Sequence, residues 1–199
     1  MQDFKGENPL FMCVREGDVE IFNWLSGSLE FFKARGQQNY LGQSIEHIVC
    51  MEGMTSIVDD IRPKLDTKDY SGNLPLYYTL MRDDVEMVQK YFTRGNQYFV
   101  LRNFKYETIF HVAAKHNSIN SLKLLVGNTP FQEELIKRDF KGDTPLHAAV
   151  KAGSREVLEF FMTAVTEPFL QIQNDFGLTP RDALAHKLSS LSPDSEKHI

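Results

Sequence analysis

Cysteine is scarce in this chain. Two among 199 residues, with no C-x-x-C pair, argue against a disulfide scaffold or a zinc ribbon, and Cys13 and Cys50 read as small buried thiols, with a disulfide or redox switch as the alternative. No apolar run approaches the roughly 18 to 20 residues that cross a bilayer, and Asp3, Lys5 and Glu7 break any secretory leader. The expectation is therefore a soluble, intracellular protein, cytoplasmic or nuclear. Basic charge is not in excess either: 22 Lys and Arg against 27 Asp and Glu give a net charge of −5, which argues against a nucleic-acid partner because a duplex binder needs a face that neutralises phosphates. Catalytic signatures are missing too, with no phosphate loop, no H-E-x-x-H and no G-x-S-x-G. No catalytic residue, metal ligand or cofactor is expected.

What the chain does have is repetition. Asp139-Phe140-Lys141-Gly142-Asp143-Thr144-Pro145-Leu146-His147-Ala148-Ala149 returns in weaker copies opening at Asp3, Asn39, Asp69, Asn103 and Asn174, at intervals of 30 to 36 residues. Asp or Asn with a following Gly, as in Gly142, suits a tight turn. Thr then caps a helix whose first-turn Pro, here Pro145, loses nothing, since its missing N–H would be unpaired there. Gly17, Gly53, Asp83, Asn117 and Gly153 recur fourteen residues after the opening position, all residue types that accept the left-handed conformation ending a helix. A second apolar helix follows, carrying Ile21, Phe22 and Leu25 in the first copy, Ile57, Val58 and Ile61 in the second and Val157, Leu158 and Phe161 in the fifth.

On these residues the chain resembles the ankyrin repeat family, whose unit is about 33 residues with a Thr-Pro-Leu-His-x-Ala signature. The resemblance runs over about residues 3 to 188 and is tightest at Thr144 to Gly153. It implies an all-α solenoid of stacked helix-turn-helix units with β-hairpin-like fingers, about five full repeats plus a C-terminal capping half-repeat, forming one domain over residues 1–188. Residues 189–199 read as a polar, flexible tail. Repeat two replaces Pro-Leu with Ile45-Glu46, repeat three has Tyr77 where His is usual, and repeat four has Tyr106 for the turn glycine.

His47, His111 and His147 occupy one place in three repeats, where the resemblance assigns them a structural bond to neighbouring backbone; helices about 8 to 10 Å apart keep them from converging on one metal ion. The connections Leu29 to Gln38, Thr93 to Arg102 and Gly127 to Arg138 predict extended strands or an extra helical turn. Trp24 is assigned to the core.

Partner contact is expected in two places. Phe4, Tyr40, Tyr70, Phe104 and Phe140 follow the opening Asp or Asn of five repeats, with Lys5, Lys105 and Lys141 beside three of them; aromatic and cationic side chains contribute strongly to interfaces, although such a ladder also suits packing between fingers. Arg15, Met51, Met81, Arg82, Lys115, His116 and Lys151 end the first helices, which the family presents on its concave face. The function so implied is noncatalytic binding of a peptide or folded protein, within a larger regulatory or scaffold protein, with no need for homo-oligomerisation or membrane insertion. The alternative is a targeting or regulatory domain of a larger enzyme, channel or lipid-handling protein.

Overall fold

The computed structural model describes residues 2–57, 66–93 and 100–191, which form two compact units, Met1–Phe104 and Lys105–Ile199. Among the described residues the regular structure is helical and no strand is present, so the fingers are turns, not paired strands.

The first unit contains α1 (Pro9–Glu16), α2 (Val19–Ser26), α3 (Leu29–Arg35), α4 (Ile45–Glu52), α5 (Pro75–Met81) and α6 (Val85–Phe92). Helix α1 packs on α2, α3 and α4, then α4 on α5 and α5 on α6. Phe11, Phe22, Ile48, Leu76, Tyr77 and Tyr91 are fully buried, each large side chain contributing about 1.5–3 kcal/mol on leaving water. Cys13 and Cys50 are buried and not in a disulfide, and the Cys50 sulfur lies 3.1 Å from the Tyr91 hydroxyl. Val58 and Ile61, expected on the second helix of repeat two, lie outside the described residues.

The second unit contains α7 (Ile109–Lys115), α8 (Ile119–Asn128), α9 (Phe131–Leu135), α10 (Pro145–Ala152), α11 (Arg155–Ala164), α12 (Glu167–Leu170) and α13 (Pro180–Leu191). Helix α10 packs on α7, α11 and α13, and α8 on α11, around Phe110, Leu122, Leu125, Val157 and Phe161, all fully buried. Two of the long connections fold as the short helices α3 and α9. Helix α13 continues past Leu188, the expected end of the capping helix, while residues 192–199 lie outside the described set.

Finger geometry follows from one side chain per repeat. Asp139 Oδ1 accepts the backbone N–H of Lys141 at 2.8 Å and of Asp143 at 2.9 Å, and Asp3, Asn39, Asp69 and Asn174 make the same pair of bonds. The residue after the opening one then donates its amide to the preceding finger, as from Tyr40 to Lys5 O at 2.9 Å in the first unit and from Phe140 to Lys105 O at 3.0 Å in the second. Where the opening residue is Asn, its amide group adds a second link: Asn39 Nδ2 donates to Glu7 Oε1 at 3.1 Å, Asn103 Nδ2 to Asn73 Oδ1 at 3.0 Å and Asn174 Nδ2 to Asp143 Oδ1 at 2.8 Å. Fingers that open on Asp and Asn alternate along the chain, so the links join fingers in pairs.

Three first helices, α4, α7 and α10, are anchored by a Thr/Ser-x-x-His box. In α10 the Thr144 amide donates to His147 Nδ1 at 3.2 Å, which leaves that nitrogen unprotonated and puts the ring proton on Nε2, 2.9 Å from Leu178 O. His47 and His111 repeat the arrangement against Asn73 O and Asp143 O. Burial lowers the pKa of His47 and His147, consistent with neutral rings. Repeat three differs: Leu74 stands at the cap without a side-chain bond, and Tyr77 makes the outward link through its hydroxyl, donating to Leu101 O at 2.9 Å.

Candidate partner-binding face

The finger aromatics are all exposed. Phe4 is 85% exposed, Tyr70 70%, Tyr40 66%, Phe104 65% and Phe140 55%. In the first unit a Cβ placed on Gly6 would lie 2.7 Å from the Tyr40 ring, and one on Gly72 2.7 Å from the Phe104 ring, so each of these rings lies on the turn glycine of the finger before it. In the second unit the finger preceding Phe140 has Tyr106 at the glycine place, held at φ 60°, a conformation uncommon for a bulky side chain. Lys5 and Lys141 each reach over the ring beside them, at 5.7 and 5.4 Å from the centroid, within cation–π range.

Residues that end the first helices bind their own protein in both units and differ in the space around them. The Arg15 guanidinium holds the buried Glu7 carboxylate at 2.7 Å and also reaches Glu52 at 3.1 Å, and its hydrogen bond holds the Glu7 carboxyl below the usual carboxylate range. Met51 is half-buried, its sulfur accepting from Gln43 Nε2 at 3.4 Å, and Met81 is half-buried too. Arg82 donates to Met51 O at 3.0 Å and lies across Gly53.

In the second unit the same places form a groove. Lys105, Glu107, Lys115, Asp139, Phe140, Lys141, Asp143, Ala148, Lys151 and Ala152 surround a space of about 330 Å³. Five residues expected at an interface, Lys105, Lys115, Phe140, Lys141 and Lys151, meet here. The carboxylates lie deep and the ammonium groups outside: Asp143 and Glu107 side chains are 5% and 13% exposed, those of Lys151 and Lys115 43% and 45%. Asp143 is bonded to Lys151 and to Asn174, Glu107 to Lys115 at 3.4 Å, and Lys151 also stands 5.9 Å from the Phe176 ring centroid. His116, the C-cap of α7, is at the surface but outside this groove, its backbone amide donating to Val112 O.

The floor explains why the groove exists. Ala148 lies nine residues after Asp139, the place that Tyr78 takes after Asp69, and Ala152 takes the place of Arg82. Two methyl groups in repeat five stand where repeat three has a phenol and a guanidinium. Sequence reasoning named the lysines and the ring but missed Glu107, Asp139, Asp143 and both alanines; the signal was the small-for-large exchange between aligned repeats.

Trp24 corrects an expectation. It is 79% exposed, as Ile21 is 48%, because spacing of three and four identifies a face without saying which neighbour covers it. Among the described residues no three His, Cys, Asp or Glu side chains are grouped to hold a metal, and no helix is long and apolar enough to cross a membrane.

Paired helices, Asp/Asn-anchored turns and Thr-x-x-His caps define an all-α repeat architecture. A family model of ankyrin repeats, in three copies, matches residues 81–174, and the chain is an ankyrin repeat protein. The Asp/Asn turn bonds described above repeat the same local geometry from Asp3 to Asn174. A search of the curated proteins finds no match. Ankyrin repeats are generally noncatalytic modules of protein–protein interaction.

Proposed function

We propose that this chain is a noncatalytic module that binds a protein partner through its fingers and first helices, as part of a larger regulatory or scaffold assembly, and that the groove between the fingers and helices α7 and α10 is the principal seat. The observation that supports this is the groove itself: a ring, Phe140, and four lysines around a floor of two alanines. An aromatic edge beside a shallow apolar floor gives an incoming side chain area to bury, and flanking charges set its orientation. The aromatics serve both packing and contact, since each keeps more than half of its surface in water.

Filling the floor tests this reading. Ala148→Tyr copies the residue that repeat three carries at the same place, so the backbone accommodates the side chain while the groove closes. With a photo-cross-linking amino acid at position 141, the expected result is a protein adduct in cell extract that Ala148→Tyr reduces at least about tenfold, corresponding to roughly 1.4 kcal/mol. Adducts that persist unchanged in a folded Ala148→Tyr chain would remove the groove from the function.

A further inference from the structure

Resting on the groove as the seat of binding, we propose that its occupant is an extended acidic peptide segment, carrying an apolar side chain that sits over Ala148 and Ala152 between two carboxylates that meet the lysines.

The charge arrangement carries this. Three carboxylates line the groove, but they are committed below its surface: Asp139 Oδ1 to two backbone amides, Asp143 to Lys151 and the Asn174 amide, Glu107 to Lys115. The Lys115 and Lys151 side chains, whose ammonium groups hold Glu107 and Asp143, remain more than two-fifths exposed, and Lys105 and Lys141 stand on adjacent fingers at the rim, both exposed. A partner arriving from solvent meets Lys105 and Lys141 at the rim and the exposed flanks of the ion-paired Lys115 and Lys151. In a chain of net charge −5 this is a local reversal of sign, and such reversals select partners more than they add affinity.

Spacing narrows the class further. First helices of neighbouring repeats pack about 8 to 10 Å apart, and an extended chain rises about 3.3 Å per residue. Acidic residues about three apart would therefore reach the lysines of repeat four and those of repeat five, with one of the two residues between them over the alanines.

A phosphate polyanion suits the groove less well. The amides at the start of α10, which would otherwise attract phosphate, are capped by Thr144 and His147. Lysine offers point charges without the bidentate fork that favours phosphate, and the carboxylates beneath oppose a multiply charged group more than a single carboxylate.

The test is a selection from a random twelve-residue peptide library on the full chain at low salt, with the folded Ala148→Tyr chain as counter-selection. Peptides with acidic residues about three apart around an apolar one should enrich, and the strongest of them, made synthetically, should bind a folded Lys105→Gln, Lys141→Gln chain about 3- to 30-fold more weakly, the scale of two exposed ion pairs. Its affinity should also fall severalfold as salt is raised to 0.5 M, where screening shortens to a few ångströms. Enrichment of neutral or basic peptides, or of acidic ones indifferent to the lysine variant, would overturn the acidic assignment and leave the groove as a protein-binding seat. If no peptide sensitive to Ala148→Tyr enriches, both readings fall. Lysine-dependent binding of a thymidine oligonucleotide in that case would reassign the groove to nucleic acid.

Discussion

Repeat three in the first unit and repeat five in the second begin alike, on Asp69 and Asp139, yet one face is closed and the other open. In repeat three the Tyr78 hydroxyl donates to Asp69 Oδ2 at 2.6 Å and lies 3.2 Å from Gln43 Nε2, and Arg82 ties down the Met51 carbonyl. In repeat five Ala148 and Ala152 leave the space empty, and Lys141 and Lys151 replace Ser71 and Met81 at the rim. The backbone is shared; the surface offered to a partner is what the side chains leave unfilled. The helix starts differ in the same sense. Repeat five anchors α10 with polar bonds, whereas repeat three relies on the fully buried Leu74 and on the Tyr77 hydroxyl.

The largest way to break this comparison is through the core. Phe161 is fully buried on α11, and Phe161→Ala should cost about 3–5 kcal/mol, as transfer and cavity terms add. Hydrogen exchange should show protection lost in α8, α10 and α11, with α4 and α5 retaining theirs. Equal loss in α4 and α5 would show that the two units open as one.

Caps come next. Thr144→Ala should cost about 1–2 kcal/mol by removing the side-chain partner of the α10 terminus, measured as a shift in the urea midpoint. Restoring the family residue in repeat three should not give the mirror-image gain. Leu74→Thr supplies a cap worth about 1 kcal/mol but gives up a buried leucine worth about 1.5–3 kcal/mol, so a net loss of about 1 kcal/mol is expected. A stabilised Leu74→Thr chain would show that capping outweighs burial there.

Acid probes the same caps. His47 and His147 have pKa values lowered in the folded chain, chiefly by burial, so the unfolded chain takes up protons first as pH falls. Their neutral state contributes stability that is present above the unfolded value of about 6.5 and is lost as pH drops from there through the folded values. Urea unfolding at pH 7 and pH 5 should show a lower midpoint at pH 5, and His147→Gln, though less stable at pH 7, should show a shallower dependence on pH. An unchanged slope would mean that protonation of this ring is not resisted by the fold.

How much of this was legible in the sequence depended on which interactions are local. Finger turns, caps and helix ends were readable because each is made within a few residues: Asp139 bonds to Lys141 and Asp143, Thr144 to His147, and Asp83 and Asn117 take the positive φ that glycine takes elsewhere. The pairing of fingers was written in the alternation of Asp and Asn but passed unread, because its meaning lies in an acceptor some 30 residues away. Convergence of the lysines was half legible. Each was singled out by its place in a repeat, while the groove joining them required seeing that Ala148 is small where Tyr78 is large.

Trp24 gives the smallest effect and a sharp test of the first unit. Its place in the repeat belongs to Lys90 in repeat three, which sends its ammonium group to Thr55 O at 2.7 Å, and to the half-buried Phe160 in repeat five. A position that accepts lysine in one repeat is at the margin of the core, so Trp24→Lys should change stability by no more than about 0.5 kcal/mol, the range of surface substitutions. As the chain's one tryptophan, it also reports directly: its emission should be that of a water-exposed indole and should be quenched by iodide as freely before unfolding as after. A blue-shifted, protected indole would mean that another surface covers the outer face of α2, and Trp24→Lys would then cost well beyond that margin.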